Sequence, residues 1–296
     1  MEITKYMKEN IVLFDGAMGT MLQSKGLKIG ENPEIFGLEN PEKLLAIHKA
    51  YLNAGSNVIT TNTFGANEIK LDKLGYKVEE IVDNAIKIAK LAIEQSDKSI
   101  ERYVALDVGP IGELLEPAGT MSFDRAYEIF KRQMVQGEKY GADIILIETM
   151  MDLYESKAAV LAAKENTNLP VFLTMTFDEN GISFTGCTPE SMVHTIQDLG
   201  VDAIGVNCSF GPKKLVPIVE RICNISDIPL IVQANAGLPD IIDENVVYSI
   251  KEDEYLEGVK EFIKKGTSVI GGCCGTTPSF IKEISNNLNN IRYKLK

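Results

Sequence analysis

Three of the five cysteines are placed to do chemistry together. Cys208 closes the apolar run AIGVNC, and Cys273 with Cys274 closes VIGGCC. Thiolates are soft donors that select zinc among the common cellular metals, with sulfur at ~2.3 Å from the ion. A structural zinc usually takes four protein ligands in closely spaced pairs such as C-x2-C. The chain has no such pair. Three converging thiolates would leave one coordination position open, which is the arrangement of a catalytic zinc site. Adjacent residues of a regular strand point to opposite faces, so Cys273 and Cys274 need a break in the pleat to share one ion. Gly271, Gly272 and Gly275 flank them and are expected to provide that break.

Other readings of these residues are weaker. A free cysteine is often a small apolar packer. That account suits Cys223, inside a helical pattern, and Cys187, in a loop, is likewise not expected to be a ligand. The loop GGCCGTTP could cradle a phosphate on glycine amides at a helix start, but two cysteines add nothing to that task. His48 and His194 both fall within predicted helices and read as structural. No lysine ends any of the apolar runs described below, so Schiff-base chemistry has no candidate.

The elements that must position the thiols are legible from periodicity. Eight short apolar runs rich in β-branched residues span 11–15, 57–62, 104–107, 144–148, 171–175, 203–208, 230–235 and 269–274. Near-continuous apolar runs suit parallel strands buried on both faces. Helical patterns lie between and after them, near 43–54, 78–95, 123–140, 152–166, 189–199, 213–224, 254–265 and 278–291. Ser122 and Thr188 suit helix caps, and Pro189, Pro212 and Pro278 suit first turns. Helix-to-strand connections such as NAGSN and KYGAD are short and carry glycine, whereas strand-to-helix connections such as 15–42, 107–121 and 234–254 are long. Eight βα units with one elaborated end predict an α/β fold, a single (β/α)8 TIM barrel over residues 1–296, with its chemistry at the carboxyl ends of the strands.

Bulk properties exclude several partners. A formal charge of -12 without a basic stripe argues against nucleic acid and anionic membrane surfaces. No run approaches the ~20 apolar residues needed to span a bilayer, and no signal peptide is visible. Cysteines in such a chain are expected as thiols, in the cytoplasm.

With the glycine turns in view, the sequence resembles the homocysteine-binding domain of the homocysteine S-methyltransferase family. FDGAMGT (14–20), VNCSFGP (206–212) and GGCCGTTP (271–278) carry the resemblance, and TTNTFGAN (60–67) and IETMMD (147–152) extend it. It covers essentially the whole chain. FDGAMGTML, VGPIGELLEPAG and ANAGLP are more similar to the cobalamin-dependent methionine synthase branch than to the betaine-using branch. The resemblance implies a zinc ion on Cys208, Cys273 and Cys274 that takes up the homocysteine sulfur as thiolate for methylation to methionine. It also implies that amides around Gly19 and Thr20 hold the substrate carboxylate and that Asp15 and Glu148 lie near its ammonium. Asn207, counted with the substrate-binding residues, and Asn62, Asp107 and Asn235 are expected either as polar lining or just behind it. The chain shows no D-x-H-x-x-G cobalamin motif. The methyl group is therefore expected from a separate corrinoid protein carrying methylcobalamin. S-methylmethionine as a direct donor is the alternative, and a non-catalytic zinc-binding barrel is the more distant one.

Overall fold

The computed structural model describes residues 1–242 and 245–288. Ten strands follow in chain order: β1 Val12–Leu13, β2 Val58–Thr60, β3 Tyr103–Val108, β4 Ile144–Met150, β5 Val171–Met175, β6 Ala203–Asn207, β7 Leu230–Ala234, β8 Pro239–Ile242, β9 Asn245–Tyr248 and β10 Thr267–Gly272. Eight of them form one parallel sheet in the order β1-β10-β7-β6-β5-β4-β3-β2. A parallel bridge from Phe14 to Val58 joins its two ends. This is the (β/α)8 barrel expected from the sequence, with each predicted helix in place around it.

Local chemistry explains the element boundaries. The Ser122 and Thr188 hydroxyls accept hydrogen bonds from the amides of Arg125 and Ser191, capping their helices as expected. Pro189, Pro212 and Pro278 open theirs. Gly55 and Gly141 end helices at φ 113° and 89°, a conformation that Cβ-bearing residues resist. The long connection at 234–254 holds an element that the periodicity did not reveal, the antiparallel hairpin β8–β9. The expected extension of the last helix beyond Leu288 falls at 289–296, outside the described residues. No helix among the described residues is long and apolar enough to cross a membrane.

Strand alternation then decides where the site can be. Inward-facing positions in the lower barrel are apolar: Val12, Phe14, Val58, Ala105, Leu146, Phe172, Ala203, Ile231 and Val269 form one buried cluster, closed from below by Ile3 and Met7. Two or four residues further along seven of the eight strands, the inward positions become polar. Val58 leads to Thr60, Ala105 to Asp107, Leu146 to Glu148, Phe172 to Thr174, Ala203 to Asn207, Ile231 to Gln233 and Val269 to Cys273. The outward faces of the strands pack on the helices in a second, larger apolar cluster. The barrel is therefore a solid apolar plug with a polar layer on its carboxyl end.

Phe172 is fully buried, with its ring 6.1 Å from that of Phe14. Phe172→Ala is expected to lower unfolding free energy in urea by about 3–5 kcal/mol. Phe184→Ala, at a side chain 74% exposed, should stay within about 0.5 kcal/mol of the parent.

Candidate metal centre and substrate cavity

The sulfur atoms of Cys208, Cys273 and Cys274 all lie within 4.8 Å of one another. The Cys208 and Cys274 sulfurs are 3.4 Å apart. Three thiolates around a tetrahedral zinc at ~2.3 Å would stand about 3.8 Å apart, so the donor set fits that ion with small adjustments. Cys187 and Cys223 are buried elsewhere, their sulfurs directed at the carbonyls of Thr188 and Lys265. His48 is buried with neither ring nitrogen bonded, and burial lowers its pKa to about 4. It belongs to the core. His194 sits on an exposed helix position.

The way in which the sulfurs converge differs from the expectation. Cys273 continues the inward alternation of Val269 and Gly271, and Cys274 follows in a turn closed by the Thr276 amide donating to the Cys273 carbonyl. Within the glycine frame only Gly275 has positive φ, at 79°. Gly271 serves a different purpose. A Cβ there would stand 2.8 Å from the Cβ of Phe14, so the position is glycine for space, not for a broken pleat. The strained residue is Cys208 itself, at φ 46°. Thr149, at φ 62°, is the other non-glycine residue of positive φ among those described. A β-branched side chain in this region is a genuine outlier that costs about 1–3 kcal/mol and persists only where surroundings hold it.

The two loops that meet over the thiols are cross-braced. The Thr20 hydroxyl accepts from the Gly275 amide at 3.1 Å, and the Thr276 hydroxyl accepts from the Ala17 amide at 3.2 Å while donating to the Cys273 carbonyl at 2.7 Å. Buried Tyr51 lies within hydrogen-bonding distance of the carbonyls of both Ala17 and Thr276. From the hairpin, Tyr248 reaches over Gly275, and its hydroxyl hydrogen-bonds to Cys274.

A cavity of ≈ 230 Å³ opens beside the sulfurs. That is below the ~300–1,000 Å³ of drug-sized sites, and it suits a small amino acid. Asp15, Gly19, Thr20, Glu148 and the three cysteines all line it, as do Asn62, Asp107, Thr149 and Gln233. The residues flagged from sequence are therefore brought together, with two exceptions. Asn235 is not among the lining residues, and Asn207 is fully buried behind the wall. The Asn207 carboxamide oxygen accepts from the Thr149 amide and the Thr174 hydroxyl, both at 2.9 Å. Its nitrogen donates to the Thr149 hydroxyl at 2.8 Å and approaches the Cys273 sulfur at 4.0 Å. Thr60 and Gln233 were not flagged, although alternation from Val58 and Ile231 would have found both. Thr149 and Tyr248 left no sequence signal.

The cavity is electrostatically one-sided. Among the described residues, no lysine or arginine lines it. Burial pushes Asp15 up to about 8, against the lowering effect of hydrogen bonds from the Thr60 amide at 2.8 Å and hydroxyl at 3.1 Å. Burial and the neighbouring Cys274 charge raise Glu148 to about 7, while a 3.4 Å hydrogen bond from Gln233 opposes them. Asp107 is raised by burial and then by Glu148, Asp15 and Glu34, and its Oδ1 is buried without a partner. Hydrogen bonds from Cys208 and Cys273 favour a thiolate on Cys274, whereas Cys273 is raised by its sulfur neighbours and by burial. Such a wall calls for cations: a metal at the sulfurs and a cationic group of the ligand at the carboxyls. Among the described residues, the feature of opposite sign is the start of the helix Met18–Ser24, whose first amides have no partner within the helix.

The fold and site thus define a barrel whose carboxyl end gathers three thiols that could hold a metal ion beside a small acidic pocket. Residues 12–288 match the homocysteine S-methyltransferase family, and the chain belongs to it. It is 31% identical to the methionine synthase of Mycobacterium tuberculosis (strain ATCC 25618 / H37Rv) across 98% of its own length, and 31% identical to that of Mycobacterium leprae (strain TN) across 96%. It spans about a quarter of the length of these relatives, 26% and 25% respectively. Among solved structures, the homocysteine methyltransferase MmuM from Escherichia coli superposes in its metallated form with a TM-score of 0.82 at 21% identity, covering 96% of this chain and 99% of that one. Its apo form gives 0.77 at the same identity, with 96% and 98% coverage.

Glu148 gives a signed test of the electrostatics. Its raised pKa means that the folded chain keeps a proton which the unfolded chain has already lost between the ordinary value of 4.5 and about 7. The stability linked to that proton is present below 4.5 and is lost as pH rises through 7. In metal-free protein, Glu148→Gln is therefore expected to raise the melting temperature at pH 8, with the gain shrinking steadily towards pH 5. A gain independent of pH would contradict this.

Proposed function

We propose that the chain methylates homocysteine to methionine, with Cys208, Cys273 and Cys274 holding a zinc ion. The observation that carries this reading is the convergence of three thiols and a buried acidic layer on one small cavity. When bound, zinc stabilises the substrate sulfur as thiolate, the nucleophile for methyl transfer, so no protein base is needed at that sulfur.

The chain's own residues bind and orient the amino-acid end. Glu148, with Asp15 and Asp107 beside it, takes the ammonium. The unpaired amides around Gly19 and Thr20 take the carboxylate, and nothing lies within 4 Å of the position a Gly19 Cβ would occupy, which leaves the approach clear. Thr60 holds the Asp15 carboxylate and Gln233 braces Glu148. An arriving ammonium favours the charged form of Glu148, so binding near neutral pH releases the proton that Glu148 carries. Asn207 acts behind the wall and makes no substrate contact in this reading.

For the methyl donor we infer a methyl group carried on a corrinoid, since the FDGAMGTML, VGPIGELLEPAG and ANAGLP segments resemble the cobalamin-dependent branch. A small sulfonium such as S-methylmethionine is the rival. Methionine formation assayed with each donor separates them, and a chain that binds zinc but methylates with neither is a non-catalytic barrel.

Purified protein is expected to hold about one zinc per chain, with three sulfurs in the metal's X-ray absorption spectrum and a fourth on adding homocysteine. Serine at Cys208, Cys273 or Cys274 should abolish methyl transfer and strip most of the zinc with the barrel still folded. Cys223→Ala should change neither. A single ligand variant that keeps both zinc and activity would remove that residue from the set.

Gly19→Ala tests the carboxylate cradle. Nothing lies within 4 Å of the added methyl, so stability is expected to hold. Homocysteine KM should rise at least ~10-fold, the equivalent of about 1.4 kcal/mol, or one lost hydrogen bond to a charged group. An unchanged KM would place the carboxylate elsewhere.

A further inference from the structure

The two non-glycine residues of positive φ among those described, Thr149 and Cys208, lie on either side of a single carboxamide, that of Asn207. Thr149 directly follows Glu148 on β4, and Cys208 directly follows Asn207 at the end of β6. The Asn207 oxygen accepts from the Thr149 amide at 2.9 Å, and its nitrogen donates to the Thr149 hydroxyl at 2.8 Å. These two bonds close a ring that leaves Thr149 neither its extended conformation nor a free side chain. Thr174 on the intervening β5 donates to the same oxygen at 2.9 Å and fixes the carboxamide from a third strand. β4 answers with an irregularity: Ile147 pairs with Leu173 but Met150 pairs with Met175, so three steps on β4 face two on β5. The extra residue lets Glu148 and Thr149, adjacent in sequence, both line the cavity.

From this geometry we propose that the Asn207–Thr149 ring is a positioning device that sets the span between Glu148 and the cysteine cluster, and so selects a four-carbon amino thiol over its three-carbon homologue, cysteine. The inference rests on the homocysteine reading above. One end of the ring is joined by a peptide bond to the carboxyl proposed for the ammonium, and the other to a proposed metal ligand. A ligand tethered at both places must match the distance between them. A pocket that merely encloses an extra methylene discriminates only ~10–200-fold, whereas two fixed anchor points discriminate by geometry. Cysteine held by its sulfur would then leave its ammonium short of Glu148. Asn207 touches no substrate in this account and works entirely through Thr149 and Cys208.

The test is a specificity ratio. Affinities of zinc-loaded protein for homocysteine and cysteine are measured by calorimetry at pH 7.5, with zinc content determined on the same samples. Asn207→Leu removes every bond of the ring at similar volume. Thr149→Gly accepts φ 62° without strain and removes the hydroxyl bond, which guards against a folding failure in the first variant. Thr149→Ser keeps the hydroxyl and is the rescue control. The expected result is that the homocysteine-to-cysteine affinity ratio falls at least ~10-fold in both Asn207→Leu and Thr149→Gly, with zinc retained, and returns to within threefold of wild type in Thr149→Ser. If both affinities fall in parallel, or if the ratio in Thr149→Gly stays within twofold of wild type, the ring is a structural brace and the proposal is wrong. Wild-type protein that binds zinc but not homocysteine would overturn the functional reading itself, an outcome distinct from an unchanged ratio in the variants.

Discussion

Acidic groups that cannot all ionise together are the constraint on which this structure turns. Asp15, Glu34, Asp107 and Glu148 share one small cavity with three thiols, and among the described residues no lysine or arginine lines it. Each carboxyl is held above its ordinary pKa mainly by burial, and Asp107 is pushed further by its neighbours. Charge of this density in a poorly hydrated space is costly unless cations arrive from outside the chain. On the proposed function, a soft metal at the sulfurs and an ammonium at the carboxyls would relieve the two halves of the same imbalance.

The barrel supplies what such a site needs from a scaffold. A carboxyl-end layer of polar side chains is tolerated because the layer below it is dry and closely packed, from Phe14 and Phe172 down to Ile3 and Met7. The polar layer is also densely hydrogen-bonded. Thr60 satisfies Asp15, Gln233 reaches Glu148, and Asn207 uses both ends of its carboxamide on Thr149, Thr174 and the vicinity of Cys273. Strain at Thr149 and Cys208 is then affordable, because rigid strands on both sides hold those backbones in place.

Much of this was legible in the sequence, for reasons that are physical. Strands buried on both faces announce themselves as apolar runs, and proline and hydroxyl residues mark helix starts, so the eight βα units were readable together with their capped helices. Cysteines at strand ends were readable because they are out of place in an apolar run. The hairpin Pro239–Tyr248 was not readable. Its strands are four residues long, and the segment between them carries no Asn-Gly or Asp-Gly signal. Nor was the manner of convergence. Glycines beside Cys273 suggested a broken pleat, yet Gly271 answers a steric need set by Phe14, more than two hundred residues away in the chain. The left-handed turn fell on Cys208, whose conformation depends on tertiary contacts that no local pattern encodes. Asn207 was legible as a polar residue at a strand end, but not as one whose carboxamide is spent on Thr149 and Thr174 behind the cavity wall.

Charge distribution also dictates how a zwitterion enters. The positive pole available inside the cavity is the set of unpaired amides at the start of the helix Met18–Ser24, and the negative pole is the acidic layer around Glu148 and Asp15. An amino acid that reverses its ends would set its carboxylate against carboxylates and its ammonium against amide hydrogens, a like-charge arrangement costing several kcal/mol at short range in a medium less polar than water. One orientation is left, and in it the side chain extends from the α-carbon with both charged groups already engaged. Whether its sulfur then meets the cysteines depends only on the number of methylenes and on the span of the wall between Glu148 and Cys208. On the proposed reading, substrate polarity would fix direction, and the geometry of β4 and β6 would fix length.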